Sequence, residues 1–81
     1  MKLVVHDGKV HPNYHHLTVR GLISYAKTST SDPFYIQPDG LVLRTLKDVH
    51  TTDYLMLTPE RLSSMSAKQL RQRMIDAFTP W

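Results

Sequence analysis

Short alternating runs of apolar and polar side chains, broken by turn residues, fill the first two thirds of the chain, and a helical period takes over near its end. Lys2 to His6 is rich in β-branched residues and is followed by Asp7-Gly8 and then Lys9-Val10-His11. An Asp-Gly pair accepts positive φ at both central positions, as a two-residue hairpin turn demands. The expectation is a hairpin pairing His6 with Lys9 and Val5 with Val10, ended by Pro12, which has no N–H to give to a ladder. Tyr14 to Arg20 alternates again, with Leu17 and Val19 on one side and His16, Thr18 and Arg20 on the other. That pattern predicts a half-buried strand. Gly21 to Lys27 supports two readings. Leu22, Ile23 and Ala26 have helical spacing, yet the stretch continues the strand if Gly21 forms a bulge.

Thr28-Ser29-Thr30-Ser31-Asp32-Pro33 is a loop by composition. Phe34 to Gln37, Pro38-Asp39-Gly40 and Leu41 to Leu46 form the plainest hairpin in the chain. Proline fixes φ at the first turn position and glycine supplies the left-handed one. A polar connection from Lys47 to Thr52 leads to a last strand over Asp53 to Leu57. Thr58-Pro59-Glu60 then combines a hydroxyl cap, a proline at the first helical position and an acid at the positive end of the helix dipole. Ser66 and Gln69 repeat the signal as a capping box. The spacing predicts a short helix near 59–64 and a longer one from about 67 to 78, in which Ala67, Leu70, Met74, Ala77 and Phe78 share an arc of about 100°. Strands first and helices last imply an α+β domain, a small antiparallel sheet of four to five strands in two hairpins packed against a C-terminal helix. One domain over 1–81 is expected, β-rich over 1–57 and helical over 58–78.

Composition narrows the function more than the fold. With 81 residues the chain has room for one core, and its 41% hydrophobic and 21% charged content is that of a soluble globular domain. From Met1 to Trp81 it reads as a complete small protein. Apolar runs such as Leu41-Val42-Leu43 fall far short of a bilayer span, and no basic start leads into an apolar stretch of about 7–15 residues, so neither a membrane segment nor a secretory leader is expected. The absence of cysteine excludes disulfides, thiolate metal sites and thiol catalysis, and favours a cytoplasmic location. The net charge is +3, of which residues 58–81 carry +2. That is a mild bias toward anionic partners.

Candidate chemistry is sparse. His11, His15 and His16 cluster, with His6 and His50 elsewhere, but His15 and His16 point to opposite faces of a strand, so no metal site is expected. His16-Leu17-Thr18 and His50-Thr51-Thr52 each fit His-x-Thr. Paired on strands, such triplets resemble the motifs of the 2H phosphoesterases, where two histidines would act as acid and base and the threonines would bind phosphate oxygens. The resemblance covers six positions. That family's fold is bilobal and about twice this length, and no duplicated half is visible here. Three scattered glycines (Gly8, Gly21, Gly40) exclude a phosphate-cradling loop, and Glu60 is the sole glutamate. No enzyme and no cofactor are expected.

What remains is the surface. The leading expectation is a small non-enzymatic module that binds and modulates or inhibits a larger cytosolic protein or nucleoprotein with an acidic surface. By size and composition it is analogous to bacteriophage and mobile-element proteins that act on host machinery. Exposed sheet edges, the 28–33 loop and the final helix are the surfaces to dock with. Lys68, Arg71 and Arg73 on that helix, Tyr35 and Arg44 as neighbours across the central hairpin, and Trp81 as a terminal anchor are the partner-binding candidates. The alternative is a small RNA- or DNA-binding protein in which Tyr14, Tyr25, Tyr35 and Tyr54 share an open sheet face and stack on bases.

Overall fold

Leu3 and Val5 are fully buried while Val4 and His6 are half-buried, so the first strand behaves as its alternation dictates. The computed structural model describes residues 3–6, 14–28 and 32–78. In chain order these form β1 (Leu3–His6), β2 (Tyr14–Leu17), α1 (Val19–Lys27), β3 (Phe34–Ile36), β4 (Leu41–Leu43), a single 3-10 turn (Leu46–Asp48), β5 (Leu55–Leu57), α2 (Pro59–Ser63) and α3 (Ala67–Phe78). The class is α+β, with a five-stranded sheet in the order β2-β1-β4-β3-β5. The sheet is mostly antiparallel. Its one parallel junction joins β1 to β4, pairing Val4 with Leu41, Val5 with Val42 and His6 with Leu43, and the Val4 N–H extends it by donating to the Gly40 carbonyl at 3.0 Å.

On its other edge β1 pairs with β2, Leu3 opposite Leu17, Val5 opposite His15 and His6 opposite Tyr14. Both edges of β1 are therefore occupied, by β4 and by β2. Asp7-Gly8, Pro12 and the Lys9 and Val10 expected to pair with His6 and Val5 lie outside the described residues.

One correction is where β2 ends. Val19 and Arg20, read from their alternation as strand, open α1 instead. Thr18 is the N-cap: its backbone is extended (φ −78, ψ 171) and its Oγ1 accepts from the Gly21 N–H at 3.0 Å. Val19, Leu22, Ile23 and Ala26 are all buried, which completes the i, i+3, i+4, i+7 stripe of a core helix. Residues 21–27 are thus helix, and the β-rich segment 1–57 contains a helix in its middle. Loss of the cap is expected to be measurable. Thr18→Ala should lower stability by about 1 kcal/mol, the usual cost of removing a hydroxyl N-cap, read from the midpoint of a urea titration. A midpoint equal to that of the parent would mean that Thr18 does not cap.

The central hairpin and the two C-terminal helices form where local chemistry places them. Gly40 has φ 90, and its N–H donates to the Gln37 carbonyl at 3.0 Å across Pro38-Asp39. The Asp39 carboxylate accepts from the Leu41 N–H at 3.0 Å, and the Gln37 N–H donates to the Leu41 carbonyl at 2.8 Å. β4 and β5 are shorter than expected and coincide with their apolar runs, β4 ending at Leu43 instead of Leu46 and β5 beginning at Leu55 instead of Asp53. Thr58 Oγ1 caps α2 through the Arg61 N–H at 3.3 Å. Ser66 and Gln69 form the reciprocal capping box, Ser66 N–H to Gln69 Oε1 at 2.9 Å and Gln69 N–H to Ser66 Oγ at 3.1 Å.

One core joins sheet and helices. Leu3, Val5, Phe34, Ile36, Val42 and Leu57 from the strands meet Val19, Leu22, Ile23 and Ala26 of α1, Leu62 of α2 and Leu70 and Met74 of α3. All three helices therefore cover the same face of the sheet. In α3 the stripe is narrower than its period predicts: Ala67 and Phe78 are half-buried and Ala77 is exposed. Among the described residues, no helix is long and apolar enough to cross a membrane.

Candidate functional site

Ladder partners share a face, so the register specifies what lies on the side of the sheet away from the helices. Tyr14 pairs with His6, His6 with Leu43, Leu43 with Tyr35 and Tyr35 with Met56. These five residues make one continuous row across all five strands. His16, Val4 and Leu41 form a second row beside it. The opposite parity, with Leu3, Val5, Val42, Ile36 and Phe34, enters the core.

The row is apolar and aromatic; its ends are open, His6 and Tyr35 are half-buried, and Leu43 at its centre is buried at 3% exposure. Tyr14 on the β2 edge is 60% exposed and Met56 on the β5 edge 48%. The Tyr14 ring leans on His6 with centroids 5.1 Å apart, and the Tyr54 ring meets Tyr35 edge-on at 5.6 Å. Such edge and tilted pairings hold aromatic rings in place before any ligand arrives. His6 Nδ1 is buried and has no hydrogen-bond partner among the described residues. The strand positions on this face carry no Lys, Arg, Asp or Glu.

The five partner-binding candidates among the described residues do not converge. Tyr35 sits at the centre of the row just described. Arg44 is not its neighbour: Leu43 pairs with Tyr35, so Arg44 falls on the opposite parity, toward the core. Its guanidinium carbon stands 4.2 Å from the Phe34 ring centroid and 5.7 Å from that of Tyr25, and Nη1 donates to the Tyr25 hydroxyl at 3.4 Å. Arg44 closes an end of the core, and Tyr25, edge-on to Phe34, belongs to the same cluster and not to the open face. Lys68, Arg71 and Arg73 are exposed on α3. At 100° per residue Lys68 and Arg71 flank the exposed Ile75, whereas Arg73 lies about 160° from Arg71. Arg73 turns toward α2, where it lines a shallow cleft with Arg61, Ser64, Met65, Gln69 and Gln72. Trp81 lies outside the described residues.

Met56, His6, Leu43 and Arg61 are site members that the sequence reading missed. The first three needed the pairing of non-adjacent strands. Arg61 had a local signal, since it shares with Arg73 the excess charge of residues 58–81. Of the two His-x-Thr triplets, His16 is on β2 at one edge of the sheet, and His50 lies in the irregular connection before β5, the strand at the other edge. Among the described residues, no group of three His, Asp or Glu side chains is placed to hold a metal ion. The chain matches no protein-family model, no curated protein and no solved structure.

Proposed function

We propose that this protein is a non-enzymatic module that binds a larger protein through the face of its sheet opposite the helices and modulates or inhibits it by occupying the contacted surface. The observation that carries the reading is the row Tyr14–His6–Leu43–Tyr35–Met56, apolar and aromatic from one sheet edge to the other. Interface centres are enriched in aromatic residues and methionine and depleted of lysine, aspartate and glutamate, which is the composition of this row. A contiguous apolar face on a small domain is itself a mark of an interaction surface. The same composition disfavours a phosphate backbone as the ligand. Nucleic-acid affinity rests on cations that displace counterions, and the described strand residues of this face supply none. A partner surface of apolar, uncharged character fits it.

The test is a comparison of captures. Immobilised parent protein, a Tyr14→Glu, Met56→Glu variant and an Arg71→Glu variant are each exposed to bacterial lysate, with and without nuclease, and the retained partner is then purified for affinity measurement. Both substituted sheet residues are largely exposed, so the variant should fold and show the parent's circular dichroism. The parent and Arg71→Glu should retain one partner equally, unaffected by nuclease, and the sheet variant should bind it at least about tenfold more weakly, a loss of about 1.4 kcal/mol. Retention that disappears with nuclease or falls steeply with salt would instead make the tyrosines a base-stacking platform. Loss of binding in Arg71→Glu with the sheet variant intact would move the interface to α3.

A further inference from the structure

We infer that the cleft between α2 and α3 is a separate binding site that takes an acidic side chain on a peptide segment, its carboxylate held between Arg61 and Arg73. The cleft lies on the helical layer and so stands independently of the sheet face. Its lining is Arg61 and Ser64 from the end of α2, Met65 from the turn, and Gln69, Gln72 and Arg73 from α3. Two arginines line it and, among the described residues, no acidic one does. Both arginines are exposed, and Met65 between them is half-buried against the core.

The hydrogen bonds within the helix connection decide which polar groups remain for a ligand. Gln69 Oε1 accepts from the Ser66 N–H at 2.9 Å in the capping box, which leaves both protons of its side-chain amide for a ligand. The Ser64 hydroxyl donates its proton to the Arg61 carbonyl at 2.9 Å. Gln72 donates one amide proton to Asp76 Oδ1 at 2.9 Å, one turn further along α3, and this holds the nearest carboxylate of the helix in place. The two guanidinium forks and the Gln69 amide protons therefore outnumber the glutamine amide oxygens as groups that a ligand can meet. That set matches a carboxylate, which accepts bidentate hydrogen bonds from arginine.

A peptide fits the cleft better than a nucleic-acid backbone. Of the remaining cations of α3, Arg71 lies about 160° from Arg73 on the other flank of the helix, and Lys68 sits one turn before Gln72; a single further cation beside the cleft makes no line of charge along which phosphates could run. Met65 and the arginine stems instead provide an apolar floor on which a side chain next to the acid can rest.

The experiment is a titration of the isotope-labelled full chain with acetyl-Glu-Leu-Glu-Leu-Glu-amide, followed through the arginine Nε–H and glutamine side-chain amide resonances. Saturable shifts are expected at Arg61, Arg73 and Gln69, with a dissociation constant below about 10 mM. The paired Arg61→Gln, Arg73→Gln variant should bind at least about tenfold more weakly, and Arg71→Gln as well as the parent. The Gln-Leu-Gln-Leu-Gln counterpart should produce no saturable shift. Since Arg61 and Arg73 are exposed, the variant is expected to keep the parent's amide spectrum. If it does not, Arg61→Lys, Arg73→Lys keeps the charge but not the fork and should still weaken binding several-fold. The inference is overturned by an absence of saturable shifts, by an equal loss in Arg71→Gln, or by inorganic phosphate or an oligothymidine displacing the peptide at lower concentration than the peptide itself binds.

Discussion

Replacing Phe34 by alanine is expected to cost about 3–5 kcal/mol, a large part of the roughly 4–12 kcal/mol available to a domain of this size. Phe34 is fully buried in β3, opposite Leu57, at the junction of sheet and helices. Truncation removes the ring from the core and leaves a cavity that a five-stranded sheet tied by ladder bonds on either side cannot close. It also strips the Arg44 guanidinium of the aromatic face 4.2 Å away and Tyr25 of its edge contact at 5.9 Å. Urea titration of Phe34→Ala reads the total. A double-mutant cycle with Arg44→Leu reads the cation–π share, expected at about 0.5–2 kcal/mol. A total below about 1.5 kcal/mol would mean that the core is not built around this ring.

Gly40→Ala is the substitution outside the core with the largest expected effect, about 1–2 kcal/mol. The residue has φ 90, where a Cβ meets the neighbouring carbonyl. Relaxation toward negative φ would not be local. Gly40 closes the turn through its N–H to Gln37 and receives Val4 through its carbonyl, both at 3.0 Å, so a shift strains the hairpin and the parallel junction together. The control is Asp39→Ala, which loses the side-chain acceptor for the Leu41 N–H but no backbone freedom and should cost about 0.5–1.5 kcal/mol. Equal midpoints for Gly40→Ala and the parent in a thermal melt would show that position 40 is not held in the left-handed region.

Both residues sit where local signals were clear, and the contrast with β2 and α1 explains what was harder. Leu17 and Val19 alternate as a strand would, yet Val19 also begins the i, i+3, i+4, i+7 set with Leu22, Ile23 and Ala26. Two periods overlap there, and the choice falls to Thr18, whose hydroxyl satisfies the Gly21 N–H once the chain turns into a helix. Arg44 fails differently. A basic residue after a hairpin strand reads as solvated, whereas the ring of Phe34 and the hydroxyl of Tyr25 accept its guanidinium at the end of the core.

By itself the sequence determined the elements whose cause lies within a few residues. These are the Pro38-Asp39-Gly40 hairpin, the Thr58-Pro59 start of α2, the Ser66–Gln69 box and the extent of α3. Turn and cap preferences act over three or four residues of backbone, so the sequence carries them in full. The tertiary structure alone decided that β1 lies between β2 and β4, parallel to the latter, and that three helices share one face of the sheet. From that placement come the row Tyr14–His6–Leu43–Tyr35–Met56, which crosses strands far apart in the chain, and the pairing of Arg61 with Arg73 across a cleft. A strand's alternation says which residues share a face, but burial of one face depends on which distant element covers it, and no interaction between sequence neighbours encodes that choice.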